Sequence, residues 1–249
     1  MRNVRLTLAY VGTRFAGWQV QPERPTVQGV LEERLSRLLQ ERVSVAAAGR
    51  TDAGVHALGQ VANFSTERDL PLAGLRRGLN SRLPEEIRLM EASEAAPAFH
   101  ARSDARSKEY RYRMTRAEVV SPFEAPFVTP IHGVLDVTAM REAAGCLLGR
   151  HDFTSFCPAN CEQDNRVRTV TLARLEENGD EIVFTVRAGG FLRHMVRTIV
   201  GTLVAVGRGG LRPDDLGAIL QARDRRAAGP CAPARGLTLM KVFYEGEET

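Results

Sequence analysis

Lysine is almost missing from this chain: only Lys108 and Lys241 stand among its 34 basic residues, so the other 32 are arginine. Guanidinium planes suit bidentate phosphate contacts and stacking, although a G+C-rich genome produces the same bias with no function behind it. Cysteine is sparse too. Cys146, Cys157, Cys161 and Cys231, in 249 residues, are too few for a disulfide scaffold and read as reduced thiols of a cytoplasmic protein. No stretch approaches the ~18 apolar residues of a membrane-spanning helix, and the opening MRNVRLTLAY alternates where a signal peptide would present an apolar block. G-x-G-x-x-G, G-x-S-x-G and H-E-x-x-H patterns are also missing, which argues against nucleotide-cofactor, serine-hydrolase and zincin chemistry. What remains is a soluble chain, 43% hydrophobic and long enough to bury a core in one large or two ordinary domains.

The formal net charge of +4 is modest, but its distribution is not. Residues 98–116 carry Arg102, Arg106, Lys108, Arg111, Arg113 and Arg116 against Asp104 and Glu109, and residues 182–213 carry five arginines with no acid. Phe99, Tyr110, Tyr112 and Phe191 lie in the same segments. Cations for phosphates and flat rings for unstacked bases are what looped or single-stranded RNA requires.

Val4, Leu6, Leu8 and Tyr10 alternate with polar or small residues as in a half-buried strand, which Gly12 and Gly17 end. Thr26 is placed to cap a helix running to about Gln40 on Val27, Val30, Leu31, Leu35, Leu38 and Leu39. Strands over 43–48 and 55–64, a helix opened by Pro71 and a strand over 87–95 complete a βαββαβ order. The second part repeats it: a strand over 108–115, a helix over 137–148, a hairpin turning at Asn178-Gly179, a helix containing Arg193 and Arg197, a further helix over 214–223 and a strand over 237–244. The expected fold is α+β, with two ferredoxin-like (split βαβ) units forming a mostly antiparallel sheet backed by helices. The lobes are expected over 1–104 and 105–249, with a ligand cleft between them.

Three features could carry chemistry. Asp52 lies in a loop flanked by Gly49 and Gly54; it either caps backbone N–H groups in an ordinary turn or serves as a nucleophilic carboxylate, which would need a cation to keep it ionised away from water. Arg193 and Arg197, four apart on one expected helix, repel unless an anion faces them: an RNA phosphate, the Asp52 carboxylate, or neither if both are solvated. Tyr110 is either a core residue with its hydroxyl at the rim or a platform for an extruded base. Cys157 and Cys161, with His151 nearby, lack the second ligand pair of a structural zinc site and read as thiols.

The segment GRTDAGVHALGQVANF, from Gly49 to Phe64, closely resembles the nucleophile motif of the tRNA pseudouridine synthase A family. It is accompanied in order by YVGTRFAGWQVQ, LNSRLP, FHAR, KEYRY, HDFTSF and FLRHMVRTIVGTL, so the resemblance spans nearly the whole chain. Val11 and the Cys157–Arg168 loop match the pattern less well. The resemblance implies a homodimer that binds tRNA, isomerises uridine to pseudouridine on the 3′ side of the anticodon stem-loop, and needs no cofactor or metal. It implies that Asp52 is the nucleophile, Tyr110 the base-stacking tyrosine and Arg197 the arginine that pairs with the aspartate. It also implies that Arg50 assists base flipping and that Phe99, His100 and Arg102 touch tRNA; Arg193 is added as a phosphate contact from its charge and position. A non-catalytic RNA-binding module would need the basic aromatic segments but has no use for a glycine-flanked carboxylate.

Overall fold

The computed structural model describes residues 1–161 and 163–247; Glu162, in the Cys157–Arg168 loop, and Glu248 and Thr249 lie outside it. In chain order the elements are β1 (Arg2–Tyr10), α1 (Val27–Leu39), β2 (Ala46–Ala47), β3 (His56–Thr66), α2 (Leu72–Asn80), β4 (Ile87–Ala95), β5 (Ser107–Thr115), β6 (Thr129–Pro130), α3 (Val137–Gly145), β7 (Gly149–Asp152), β8 (Val167–Asn178), β9 (Glu181–Ala188), α4 (Met195–Gly207), α5 (Asp215–Ala222) and β10 (Leu237–Phe243). They fall into two compact units: Met1–Arg106 with the chain from Thr238 onward, and Ser107–Leu237. The C-terminal strand, read from the sequence with the second lobe, thus joins the first. Among the described residues no helix is long and apolar enough to cross a membrane.

The first unit is a split βαβ sheet in the order β4-β1-β3, with β2 beside the distal half of β3 and β10 beside its start. The β1–β3, β1–β4 and β2–β3 pairs are antiparallel, and only β10 runs parallel to its neighbour β3. Val4, Leu6 and Leu8 stand opposite Phe64, Ala62 and Gln60, so these residues share one face of the sheet, and all are buried. Helix α1 contributes Val27, Leu31, Leu35 and Leu39, the one-turn repeat that gives a single apolar stripe. Its N-cap is the expected Thr26, whose hydroxyl accepts from the Gly29 N–H at 3.2 Å.

The second unit orders its strands β5-β9-β8-β7 with antiparallel neighbours, and the short β6 lies parallel on β5. Tyr110, Tyr112 and Met114 of β5 all point inward, as their alternation requires. The β8–β9 hairpin pairs Asn178 with Glu181, so its two-residue loop is Gly179-Asp180, with φ +57° at Gly179, one residue later than the Asn-Gly turn expected from sequence. Helix α4 is buried on nearly every side, the pattern of a central rather than a surface helix.

Against α4 lies the segment from Gly229 to Ala232. A Cβ on Gly201 would stand 1.7 Å from the Pro230 carbonyl oxygen, and one on Gly229 would stand 2.7 Å from Thr202 backbone. The Gly229 N–H donates to the Thr202 hydroxyl at 2.9 Å, and the Ala232 N–H donates to the Arg197 carbonyl at 3.0 Å. Alanine at a mid-helix glycine ordinarily gains about 1 kcal/mol; here the overlap is with backbone and cannot relax by a rotamer change. Gly201→Ala is therefore expected to destabilise the protein by about 1–3 kcal/mol, measured as a lowered urea midpoint, and a raised midpoint would show that the packing is looser than described.

Candidate active site

Residues 49–55 of the first unit form a loop held by main chain of the segment at Phe15 and Trp18 and by a bond of its own. The Trp18 N–H donates to the Thr51 carbonyl at 3.0 Å, the Gly54 N–H to the Phe15 carbonyl at 3.3 Å, and the Val55 N–H to the Asp52 carbonyl at 3.1 Å. The partner segment comes so close because two positions lack a side chain. A Cβ on Gly12 would stand 1.9 Å from the Val55 oxygen, and one on Gly17, where φ is +102°, would stand 2.7 Å from the Thr51 oxygen. These are the glycines read from sequence only as strand breakers. The buried Trp18 and Tyr10 rings, 6.1 Å apart, close the floor beneath this strap. The loop so held leaves Asp52 half-buried, with Arg50 exposed two residues earlier.

Under the loop sit polar groups that sequence inspection did not single out. The Gln60 amide donates to the Gly49 carbonyl at 2.9 Å and to the Tyr10 hydroxyl at 3.4 Å, and the Tyr10 and Thr51 hydroxyls are 2.8 Å apart. Burial pushes the Tyr10 phenol up to about 12, so it stays protonated at any working pH. His56, also buried, accepts from the Gly12 N–H through Nδ1 at 3.1 Å. Their signal lay in the motif itself: GQ and VH are polar residues inside an apolar strand, which need partners once buried.

The turn after β4 carries Phe99, His100 and Arg102. Asn3 donates to the Ala96 and Phe99 carbonyls at 3.0 and 2.8 Å, while the Asn63 side-chain carbonyl accepts from the Ala101 N–H at 2.8 Å. Asn63 pairs with Arg5 in the sheet register, one residue off the Leu6–Ala62 pair, so the turn is held from the sheet face opposite the helices. Phe99 stacks at 5.3 Å on Tyr244, with the Arg5 guanidinium over both rings, whereas His100 and Arg102 are exposed.

In the second unit Tyr110 is buried on β5, its ring meeting Phe191 edge-on at 5.1 Å. Arg197 is half-buried in the first turn of α4, and its Nε donates to the Ala232 carbonyl at 2.7 Å. The next carbonyl, of Pro233, accepts from the Tyr112 hydroxyl at 2.8 Å, so neighbouring acceptors of one strand of chain orient both side chains. Arg193 differs from expectation. Helix α4 begins at Met195, because His194 adopts a left-handed conformation with φ +60°, and Arg193 precedes it on an exposed turn. The two arginines therefore do not share a helix. A left-handed, non-glycine residue is costly and is kept where the surrounding structure fixes it; here it sets the start of the helix that carries Arg197.

The basic segments are less bare than their local sums imply. Arg113 pairs with Glu124 and Glu181, Arg116 with Glu177 at 2.6 Å, and Arg187 with Glu109, its cross-strand neighbour, at 2.8 Å. Arg50, Arg102 and Arg193 remain exposed arginines beside the candidate residues. The described cysteines are free thiols, and among the described residues no three His, Cys, Asp or Glu side chains cluster as metal ligands. Burial, reinforced by contact with Cys161, pushes the Cys157 thiol up to about 11, so it remains a neutral core group.

A two-unit α+β chain that braces an acidic loop in one unit and an oriented arginine in the other matches the family model described as tRNA pseudouridine synthase over residues 7–104 and 143–245, and the chain belongs to that family of isomerases acting on tRNA uridine. Asp52, Arg50, Phe99, His100, Arg102, Arg193 and Arg197 fall within the matched residues, while Tyr110 lies between the two stretches. Among its relatives, the tRNA pseudouridine synthase A of Moorella thermoacetica is 50% identical over 246 residues, spanning 98% of this chain and 100% of its own. The tRNA pseudouridine synthase A of Myxococcus xanthus is 47% identical over 245 residues, spanning 98% and 92% of the two chains, and that of Pelobacter propionicus is 48% identical over 244 residues, spanning 98% and 100%.

Proposed function

We propose that this protein isomerises uridine to pseudouridine on the 3′ side of the tRNA anticodon stem-loop, with Asp52 as nucleophile, Arg197 as its counter-cation and Tyr110 as the stacking partner of a flipped uridine. It works as a cytoplasmic homodimer and needs no cofactor. Arg50 assists the flip, and Phe99, His100, Arg102 and Arg193 belong to the tRNA footprint. The observation that carries the reading is the Asp52 loop: backbone bonds to the segment at Phe15 and Trp18, two glycines without which that segment cannot approach, and a half-buried carboxylate at the centre of the loop. An ordinary surface turn needs none of this.

In the reaction Asp52 attacks the ring at C6 or the sugar at C1′. The C1′–N1 bond breaks, the base turns, and a C1′–C5 bond forms. The C5 proton leaves, N1 gains a proton, and the aspartate is released, so the product is an isomer and no oxidant or other group is consumed. Tyr110 supports the turning base through its ring, and its T-shaped contact with Phe191 fixes that ring's plane.

The test is a position map. A defined tRNA transcript is incubated with the protein and treated with carbodiimide, and pseudouridines are located by reverse-transcription stops. New stops on the 3′ side of the anticodon arm are expected. Stops elsewhere would move the target, and an RNA that is bound but yields no stops would favour a binding module.

A further inference from the structure

We infer that Tyr10 and Gln60 are positioning residues for the reaction: through a chain of hydrogen bonds they fix the Thr51 side chain, on the residue before Asp52, and with it the start of the Asp52 loop. The inference rests on the assignment of Asp52 as nucleophile. The direction of the chain follows from the chemistry of its members. The Gly49 carbonyl can only accept, so the Gln60 group 2.9 Å from it is the amide nitrogen. The second hydrogen of that nitrogen goes to the Tyr10 oxygen at 3.4 Å. Tyr10 is 3% exposed, and its own hydrogen needs an acceptor, which the Thr51 hydroxyl oxygen supplies at 2.8 Å. The chain thus ends at the Thr51 side chain, on the residue adjoining Asp52 in sequence.

The remaining Gln60 atom supports this reading. Its carbonyl oxygen is buried with no hydrogen-bond partner, a cost that an apolar residue at this fully buried position would avoid. The amide is explained by what its nitrogen does: one hydrogen holds the start of the Asp52 loop at Gly49, and the other orients Tyr10. Tyr10 in turn ends β1 just where the register slips between Leu8 and Tyr10, which carries its ring under the loop.

The test is a double-mutant cycle on the full-length protein with tRNA as substrate. Tyr10→Phe and Thr51→Val each remove one link with little change in volume, and each is expected to lower kcat by about tenfold or more at unchanged KM. The double variant should fall no further than Thr51→Val alone, within about twofold, and Thr51→Ser should recover most of the rate. Thermal midpoints identify any variant that loses its fold, and Tyr10→Phe, which keeps the ring, is expected to stay close to wild type. Effects that multiply in the double variant, a loss carried by KM, or a Tyr10→Phe enzyme at the wild-type rate would each overturn the inference. An inactive Asp52→Asn beside an unimpaired Tyr10→Phe overturns the chain alone; an active Asp52→Asn overturns the catalytic assignment and the chain with it.

Discussion

Replacing Asp52 by asparagine is expected to lower isomerisation by about 10⁴-fold or more while leaving tRNA affinity within a few-fold. Asparagine has nearly the shape of aspartate, and backbone groups of Phe15, Trp18, Thr51, Gly54 and Val55 strap the loop whichever of the two stands there. The substitution therefore removes a nucleophile and leaves its scaffold. Release of tritium from C5-labelled uridine in tRNA reads the chemical step, and filter binding reads affinity. A variant that releases tritium near the wild-type rate would remove Asp52 from the reaction.

The second large effect is expected at Arg197. As the counter-cation proposed for Asp52, Arg197 is expected to matter by about the 2–5 kcal/mol that truncating one member of a charge pair costs, so Arg197→Ala should reduce kcat/KM by roughly 30-fold or more. Its bond to the Ala232 carbonyl refines the prediction. Nε is the atom that anchors the guanidinium plane, and lysine has no equivalent, so Arg197→Lys should restore the charge without the orientation and recover only part of the loss. Steady-state kinetics of the two variants, with thermal midpoints as a check on folding, decide the matter. Rates equal to wild type for Arg197→Ala would exclude it from the site.

Much of the scaffold can be read along the chain because its signals are local. The alternation of Val4, Leu6, Leu8 and Tyr10, the Thr26 cap and the inward row of Tyr110, Tyr112 and Met114 each report an element from within itself. Where the reading fails, the decisive partner lies elsewhere. Val43 and Val45 alternate like a strand, yet β2 has only Ala46 and Ala47, because the Val43 N–H donates to the Ser36 hydroxyl and the Val45 N–H to the Glu32 carboxylate, both on α1. Helix α3 stops at Gly145, short of the expected Leu148, and Gly149–Asp152 then pairs with β8, although GRHD shows no strand pattern.

The same division holds for the site. Asp52 stands out because glycines surround it in the sequence, but Tyr10 and the Gly12 and Gly17 strap come from another stretch, and they and Gln60 acquire meaning only when β1 and β3 are side by side. Helical spacing groups Arg193 with Arg197, and one left-handed residue, His194, separates them. Charge sums over neighbouring residues likewise miss Glu124, Glu177 and Glu181, which neutralise Arg113 and Arg116 across strands and turns.

A nucleoside digest of a single anticodon-arm RNA, after equal exposure to wild-type protein and to Asp52→Asn, tests the central claim most directly. The account predicts that wild type converts uridine into an equal amount of pseudouridine at unchanged mass, and that the variant binds the same RNA and produces none. Pseudouridine in equal yield from both proteins, or from neither, would contradict it.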